Sequence, residues 1–96
     1  MRFHCVITYD IGKTPRRTRM ARLLEGYGRR VQYSVFEARL TAAQIRELFR
    51  TMIPLVDRAA GDSVRLYALC AACAPRTFLW GGEAPWPQTT IIDEEP

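Results

Sequence analysis

The sequence predicts an α+β sandwich, in which one sheet carries two helices on a single face. Three observations predict it. Period-two apolar alternation marks strands near the N-terminus and again after residue 62, and two apolar stripes at i, i+3, i+4, i+7 spacing mark helices between them. The third is length: 96 residues make one domain and too few for two.

The first strand runs from Arg2 to Tyr9. Phe3, Cys5, Ile7 and Tyr9 fall on one face; His4, Val6 and Thr8 fall on the other, with Asp10 next in the same register. Both faces are largely apolar, which predicts a central strand and makes His4 a packed or interface side chain rather than a ligand. Thr14-Pro15 is a helix start, a cap residue followed by proline at the first helical position. Met20, Leu23, Leu24 and Tyr27 form its apolar stripe, so a helix is expected over 15–27, ended by Gly26 and Gly28. Residues 29–40 are rich in Val, Tyr and Phe and read as one bent strand or two short ones. Thr41 to Gln44 is a capping box, and Ile45, Leu48, Phe49, Met52 and Val56 make the second stripe, with Pro54 expected to kink or shorten its last turn. Gly61-Asp62 is a turn before a strand over 63–70. Residues 77–80 form a short strand, 81–87 a Pro/Gly-rich connector, and 89–92 a last strand that needs a sheet edge to join, such as that of another subunit.

This order gives a ferredoxin-like sandwich, an antiparallel sheet with two helices on one face. The opposite face is either wet or paired, and its apolar content favours a homodimer through it. The expected domain covers residues 1–82, and 83–96 form a connector, short strand and acidic tail.

The formal net charge is +4, but residues 1–50 hold eleven bases against four acids, whereas 83–96 hold four acids and no base. Thirteen of the fourteen bases are arginine, whose planar fork of donors suits phosphate. That distribution suits nucleic acid as a partner, and it suits a solvated basic surface equally well. No apolar run approaches the roughly 20 residues of a membrane span. The N-terminus has no signal-peptide pattern, so a cytoplasmic location is expected. Three cysteines are too few for a disulfide framework. Cys70-Ala-Ala-Cys73 has the spacing of half a zinc site or a redox pair, but with one histidine in the chain buried, reduced thiols at a strand end are expected.

Asp10 is the most informative residue. It ends the first strand, where ligands bind in α/β arrangements. Arg16, Arg17 and Arg19 follow in the first turn of the helix, where each opposes the helix dipole at about 0.3–1 kcal/mol. Phosphate contact accounts for three of them there; pairing with Glu25 or another acid is the alternative. A single carboxylate makes a poor metal site. Mg²⁺, however, often takes one or two protein carboxylates, with waters and substrate phosphate completing its shell. Asp10 from each of two chains therefore suits a phosphodiester hydrolase, whereas a cap on the following loop is the structural alternative. Glycine-rich phosphate loops and Ser/His/Asp sets are absent from the sequence. Tyr9, Tyr27, Tyr33 and Phe36 are suited to stacking on bases or to the core.

Tyr9-Asp10-Ile11, then Arg17-x-Arg19, Tyr27-Gly28 and the string Arg30-Val31-Gln32-Tyr33-Ser34-Val35-Phe36-Glu37 resemble the CRISPR-associated Cas-two family over residues 3–40, and the strand over 63–70 fits the remainder. The resemblance implies a ferredoxin-like homodimer with facing sheets and the two Asp10 side chains close across the interface, able to hold Mg²⁺. It also implies a metal-dependent endonuclease cutting RNA or DNA, and partnership with the Cas-one integrase in inserting new spacers into a CRISPR array. Carried over by position, Asp10 is the metal and catalytic residue and Tyr9 a second catalytic residue, while Arg17, Arg19, Arg30 and Phe36 contact the substrate. Residues 31–40 contain no Gly, Asn or Pro for the hairpin this fold requires, so a sharp bend near Ser34 or an open hairpin must serve. A non-catalytic DNA-binding scaffold between integrase subunits and a toxin-like messenger-RNA nuclease are the competing functions.

Overall fold

The computed structural model describes residues 1–79 and 81–92. Trp80 and the acidic residues Asp93, Glu94 and Glu95 lie outside the described residues. The elements are β1 (Phe3–Asp10), α1 (Thr14–Glu25), β2 (Arg29–Gln32), β3 (Val35–Leu40), α2 (Ala42–Met52), β4 (Ser63–Leu69), β5 (Phe78–Leu79) and β6 (Thr90–Ile91). The main sheet has the order β2-β3-β1-β4, and every pairing in it is antiparallel. With both helices on one face, this is the ferredoxin-like sandwich expected.

The alternation of β1 decides which residues meet the helices. Cys5, Ile7 and Tyr9 are buried with Phe36, Ala38 and Leu40 of β3, beneath Met20, Ala21 and Leu24 of α1 and Leu48 and Met52 of α2. Burying this apolar set is the main stabilising term for the layer pair. The register places His4, Val6, Thr8 and Asp10 on the opposite face, opposed by Arg39, Glu37 and Val35 of β3 and by Leu69, Tyr67 and Arg65 of β4.

α1 starts one residue earlier than expected and ends two earlier. Lys13 occupies the cap position without a side-chain cap, because the Thr14 hydroxyl accepts a hydrogen bond from Arg17 Nη2 at 2.7 Å instead. α2 has its capping box: Gln44 N–H donates to Thr41 Oγ1 at 3.2 Å, and Thr41 N–H donates to Gln44 Oε1 at 2.8 Å. Pro54 ends it by converting Ile53–Leu55 into a 3₁₀ turn.

Residues 29–40 resolve into a hairpin whose reversal, Tyr33-Ser34, contains no residue of positive φ. Two-residue hairpins ordinarily require such residues to match strand twist. Here the register slips between Arg30 and Gln32, so exposed Val31 is the extra residue of a bulge, and the bulge supplies the twist. Tyr9 N–H ties the turn down by donating to Ser34 O at 3.2 Å. Gly28 lets β2 start so close to β3: a Cβ there would lie 2.1 Å from Glu37 O.

The C-terminal region differs from expectation. The main sheet is complete at Leu69, and β5 pairs with β6 in a separate parallel ribbon. The last strand thus joins an edge of its own chain. Between them Trp86 is buried against His4, with ring centroids 4.6 Å apart, and its Nε1 donates to Thr77 Oγ1 at 3.1 Å. Arg29 bridges to Glu83 at 2.7 Å. The chain's own tail therefore covers the His4 end of the open sheet face, and the Asp10 end is left bare. Burial, then the nearby charge of Arg39, holds the His4 imidazole's pKa below its ordinary value, which disfavours its charged form under Trp86.

Candidate functional site

Asp10 is exposed at the C-terminal end of β1, opposite Ser63 of β4. It shares a shallow depression of about 260 Å³ with Thr8, Tyr9, Ser63 and Arg65. Arg65 was not singled out in the sequence; its position opposite Thr8 in the β1–β4 register brings it there. Among the described residues, no group of three His, Cys, Asp or Glu side chains gathers to hold a metal ion. One chain therefore offers a cation one carboxylate on an open face, a fit for Mg²⁺ only when a second carboxylate or a phosphate completes the set.

The loop after Asp10 is tied down by Asp62, which the sequence marks only as part of a turn. Asp62 has a side chain 1% exposed, and its carboxylate accepts from Gly12 N–H at 2.9 Å, Asp57 N–H at 3.1 Å, and Arg16 Nε and Nη2 at 3.2 and 2.8 Å. These bonds, led by those from Gly12 and Asp57 with Arg16 adding to them, hold the Asp62 carboxyl below the usual carboxylate range against the cost of its burial. Arg16 is thus committed to Asp62, the acid-pairing alternative, rather than directed at a ligand. Its signal in sequence is faint, because nothing local says that Asp62 will face residue 12 across fifty positions.

Arg17 also turns inward. Its Nη1 donates to the carbonyls of Ile11 at 3.0 Å and Gly12 at 2.7 Å, so it braces the same loop. Arg19 is exposed and has no hydrogen-bond or ion-pair partner among the described residues. Of the three arginines near the start of α1, it is the one without an intrachain partner among the described residues.

The remaining candidates gather on the opposite side of the sheet from Asp10. Tyr9 points under the helices, and a cleft of about 320 Å³ joins it to Arg17, Arg22, Arg30 and Tyr33. Arg30 donates through Nε to Tyr33 O at 3.0 Å and lies 5.3 Å from the Tyr33 ring centroid and 5.6 Å from that of Phe36. Tyr33 is 70% exposed, an aromatic face available at the hairpin tip. Phe36 is 0% exposed, which corrects the expectation that it contacts nucleic acid: it is core, supporting Tyr9 and Arg30 from beneath. Tyr9 and Asp10, adjacent in sequence, are parted by the alternation of the strand.

The cysteine expectation also changes. Cys5 is buried, but Cys70 is exposed and Cys73 half-buried, because β4 stops at Leu69 and the CxxC segment lies in a 3₁₀ turn outside the sheet.

Comparison with known proteins adds three findings. The family model for CRISPR associated protein Cas2 matches residues 1–77. A curated protein of Chloroflexus aurantiacus, CRISPR-associated endoribonuclease Cas2 1, is 41% identical over 88% of this chain and 90% of its own length. Among solved structures, Streptococcus pyogenes Cas2 superposes with a TM-score of 0.67 at 30% identity, covering 80% of this chain and 95% of that one. A chain of a partial Cas6-RT-Cas1–Cas2 complex superposes with a TM-score of 0.65 at 29% identity, covering 78% and 87%.

Proposed function

This chain belongs to the CRISPR-associated protein Cas2 family, and on that footing we propose that it is an endonuclease of CRISPR adaptation that acts as a homodimer and assembles with a Cas1-type integrase. The observation that carries the reading is the stance of Asp10: a solvent-facing carboxylate at the end of the sheet face that Trp86 leaves uncovered, beside Arg65. Two copies meeting through this bare end bring two Asp10 side chains together, and with them a shell for Mg²⁺ completed by water and phosphate oxygens. A divalent ion held there supplies positive charge against the phosphodiester. The protein's own contribution is to keep the loop after Asp10 fixed through Asp62 and Arg17, and to present Arg19 and Arg65 to the phosphate backbone. The name of the Chloroflexus relative favours RNA as substrate; cleavage of DNA belongs to the same proposal. The chain in the partial Cas6-RT-Cas1–Cas2 complex supports the integrase partnership.

A scaffold that holds duplex DNA without cutting it is the second reading. It is favoured by the lack of any three-residue metal cluster among the described residues. Both readings meet one experiment, in which wild type and Asp10→Ala are purified in parallel and tested on single- and double-stranded RNA and DNA, with Mg²⁺ and with chelator. The nuclease reading expects Mg²⁺-dependent cleavage by wild type, no cleavage by Asp10→Ala, and duplex binding retained in both. Full cleavage by Asp10→Ala removes Asp10 from the chemistry; binding without cleavage by either protein leaves the scaffold.

A further inference from the structure

The turn that follows β4 holds a pair of thiols for which the proposed chemistry has no use. Cys73 N–H donates to Cys70 O at 2.9 Å, and this tight turn brings the two Sγ atoms to 3.7 Å. A disulfide needs about 2.05 Å, so side-chain rotation has a gap of roughly 1.7 Å to close. Cys70 is open to solvent and Cys73 partly so, whereas Cys5 is sealed in the core. The hydrogen bond from Cys73, and after it the backbone N–H of Ala72, hold the Cys70 thiol below its ordinary value. The thiolate is the attacking species in disulfide exchange, so Cys70 is the better nucleophile of the pair.

A metal accounts for the pair less well. A structural zinc takes four ligands, and among the described residues no third His, Cys, Asp or Glu joins these two. Asp10 pairs with Ser63, whereas Cys70 follows Leu69, the partner of His4. The thiols thus lie about 20 Å along the strand from Asp10. Copies that meet at Asp10 about a two-fold axis crossing the strands hold their thiol pairs far apart.

We propose that Cys70 and Cys73 are a redox-active dithiol that closes into an intrachain disulfide on reaction with a low-molecular-weight disulfide such as oxidised glutathione. The Cys70 thiolate attacks one sulfur of the oxidant, forming a mixed disulfide and releasing one glutathione thiolate. Cys73, on losing its proton, attacks Cys70 Sγ and expels the second. The protein loses two protons and two electrons, the oxidant is reduced to two thiols, and the two protons end on them. The pair sits at the root of the tail that lays Trp86 over His4, so closure fixes the turn from which that tail departs.

The test uses the full chain, fully reduced, then incubated with oxidised glutathione, quenched by alkylation and read by intact mass and peptide mapping. The expected result is loss of two of the three thiols, a mass lower by two hydrogens, and a Cys70–Cys73 link that dithiothreitol reverses. Cys73→Ser is expected to stop at one glutathione adduct on Cys70, since no second thiol resolves it; both positions reach solvent, and circular dichroism checks the fold. A persistent glutathione adduct on wild type, a chain-to-chain cross-link, or three unreacted thiols would each overturn the proposal. Protection of both thiols by stoichiometric Zn²⁺ would also overturn it and make the pair a metal site. All of these results are independent of Asp10 and of nuclease activity.

Discussion

Phe36 separates two accounts of how the hairpin serves nucleic-acid binding. Its ring is fully buried, opposite Ile7 in the β1–β3 register, 6.4 Å from the Tyr9 ring and beneath Arg30. Truncating a buried phenylalanine to alanine costs about 3–5 kcal/mol in lost transfer energy and residual cavity. A domain of this length is held by about 5–14 kcal/mol in all. Phe36→Ala should therefore lower the unfolding midpoint by roughly 15–30 °C. Phe36→Leu keeps most of the volume and should cost about 1 kcal/mol. Had the ring stacked on a base, both variants would lose about 1–3 kcal/mol of affinity, five- to 150-fold. Core burial instead predicts that Phe36→Leu binds duplex and single strands as wild type does, and that Phe36→Ala fails only as it unfolds. Thermal unfolding is measured at one protein concentration, because dimerisation makes the midpoint concentration-dependent. Binding is measured well below both midpoints. A Phe36→Leu protein that is folded and stable yet binds about tenfold more weakly would refute this reasoning.

Asp62 gives a pH prediction. Its folded pKa is depressed, so its stabilising contribution is present above the unfolded carboxylate value of about 4 and is lost as pH falls through the folded value. The gap in midpoint between wild type and Asp62→Asn should be full near neutrality and narrow as the pH drops below about 4; a gap independent of pH would contradict the assignment. Gly28→Ala drives a Cβ to 2.1 Å from Glu37 O, so it should reach the upper end of the ~1–3 kcal/mol overpacking range, read as a drop in urea midpoint. Arg19→Ala should leave the unfolding midpoint alone and reduce the salt slope of duplex binding by about 0.9, whereas Arg16→Ala should lower the midpoint because it strips Asp62 of its partner. Reversal of those two phenotypes would exchange the roles of the two arginines.

Much of this molecule was legible before any coordinates. The helical stripes, the Thr41–Gln44 capping box, the clean alternation of β1 and the exposed end of that strand at Asp10 all depend on neighbours within a few positions, which a sequence displays directly. The basic, arginine-rich first half was legible as well, since charge is a property of composition. Which arginine is free was another matter. Arg16, Arg17 and Arg19 are alike in sequence, yet one is bound to Asp62, one braces the loop and one is exposed, because β4 returns beside β1 and carries Asp62 back to residue 12. Phe36 matches a binding position in sequence and is core, since the β1–β3 register sets it opposite buried Ile7 on the face under the helices. The C-terminal tail shows the same limit: nothing near Trp86 in sequence announces His4, eighty-two positions earlier, as its stacking partner. Local periodicity chooses the elements and their inner faces; long-range register chooses the company each polar side chain keeps, and only the folded chain fixes that register.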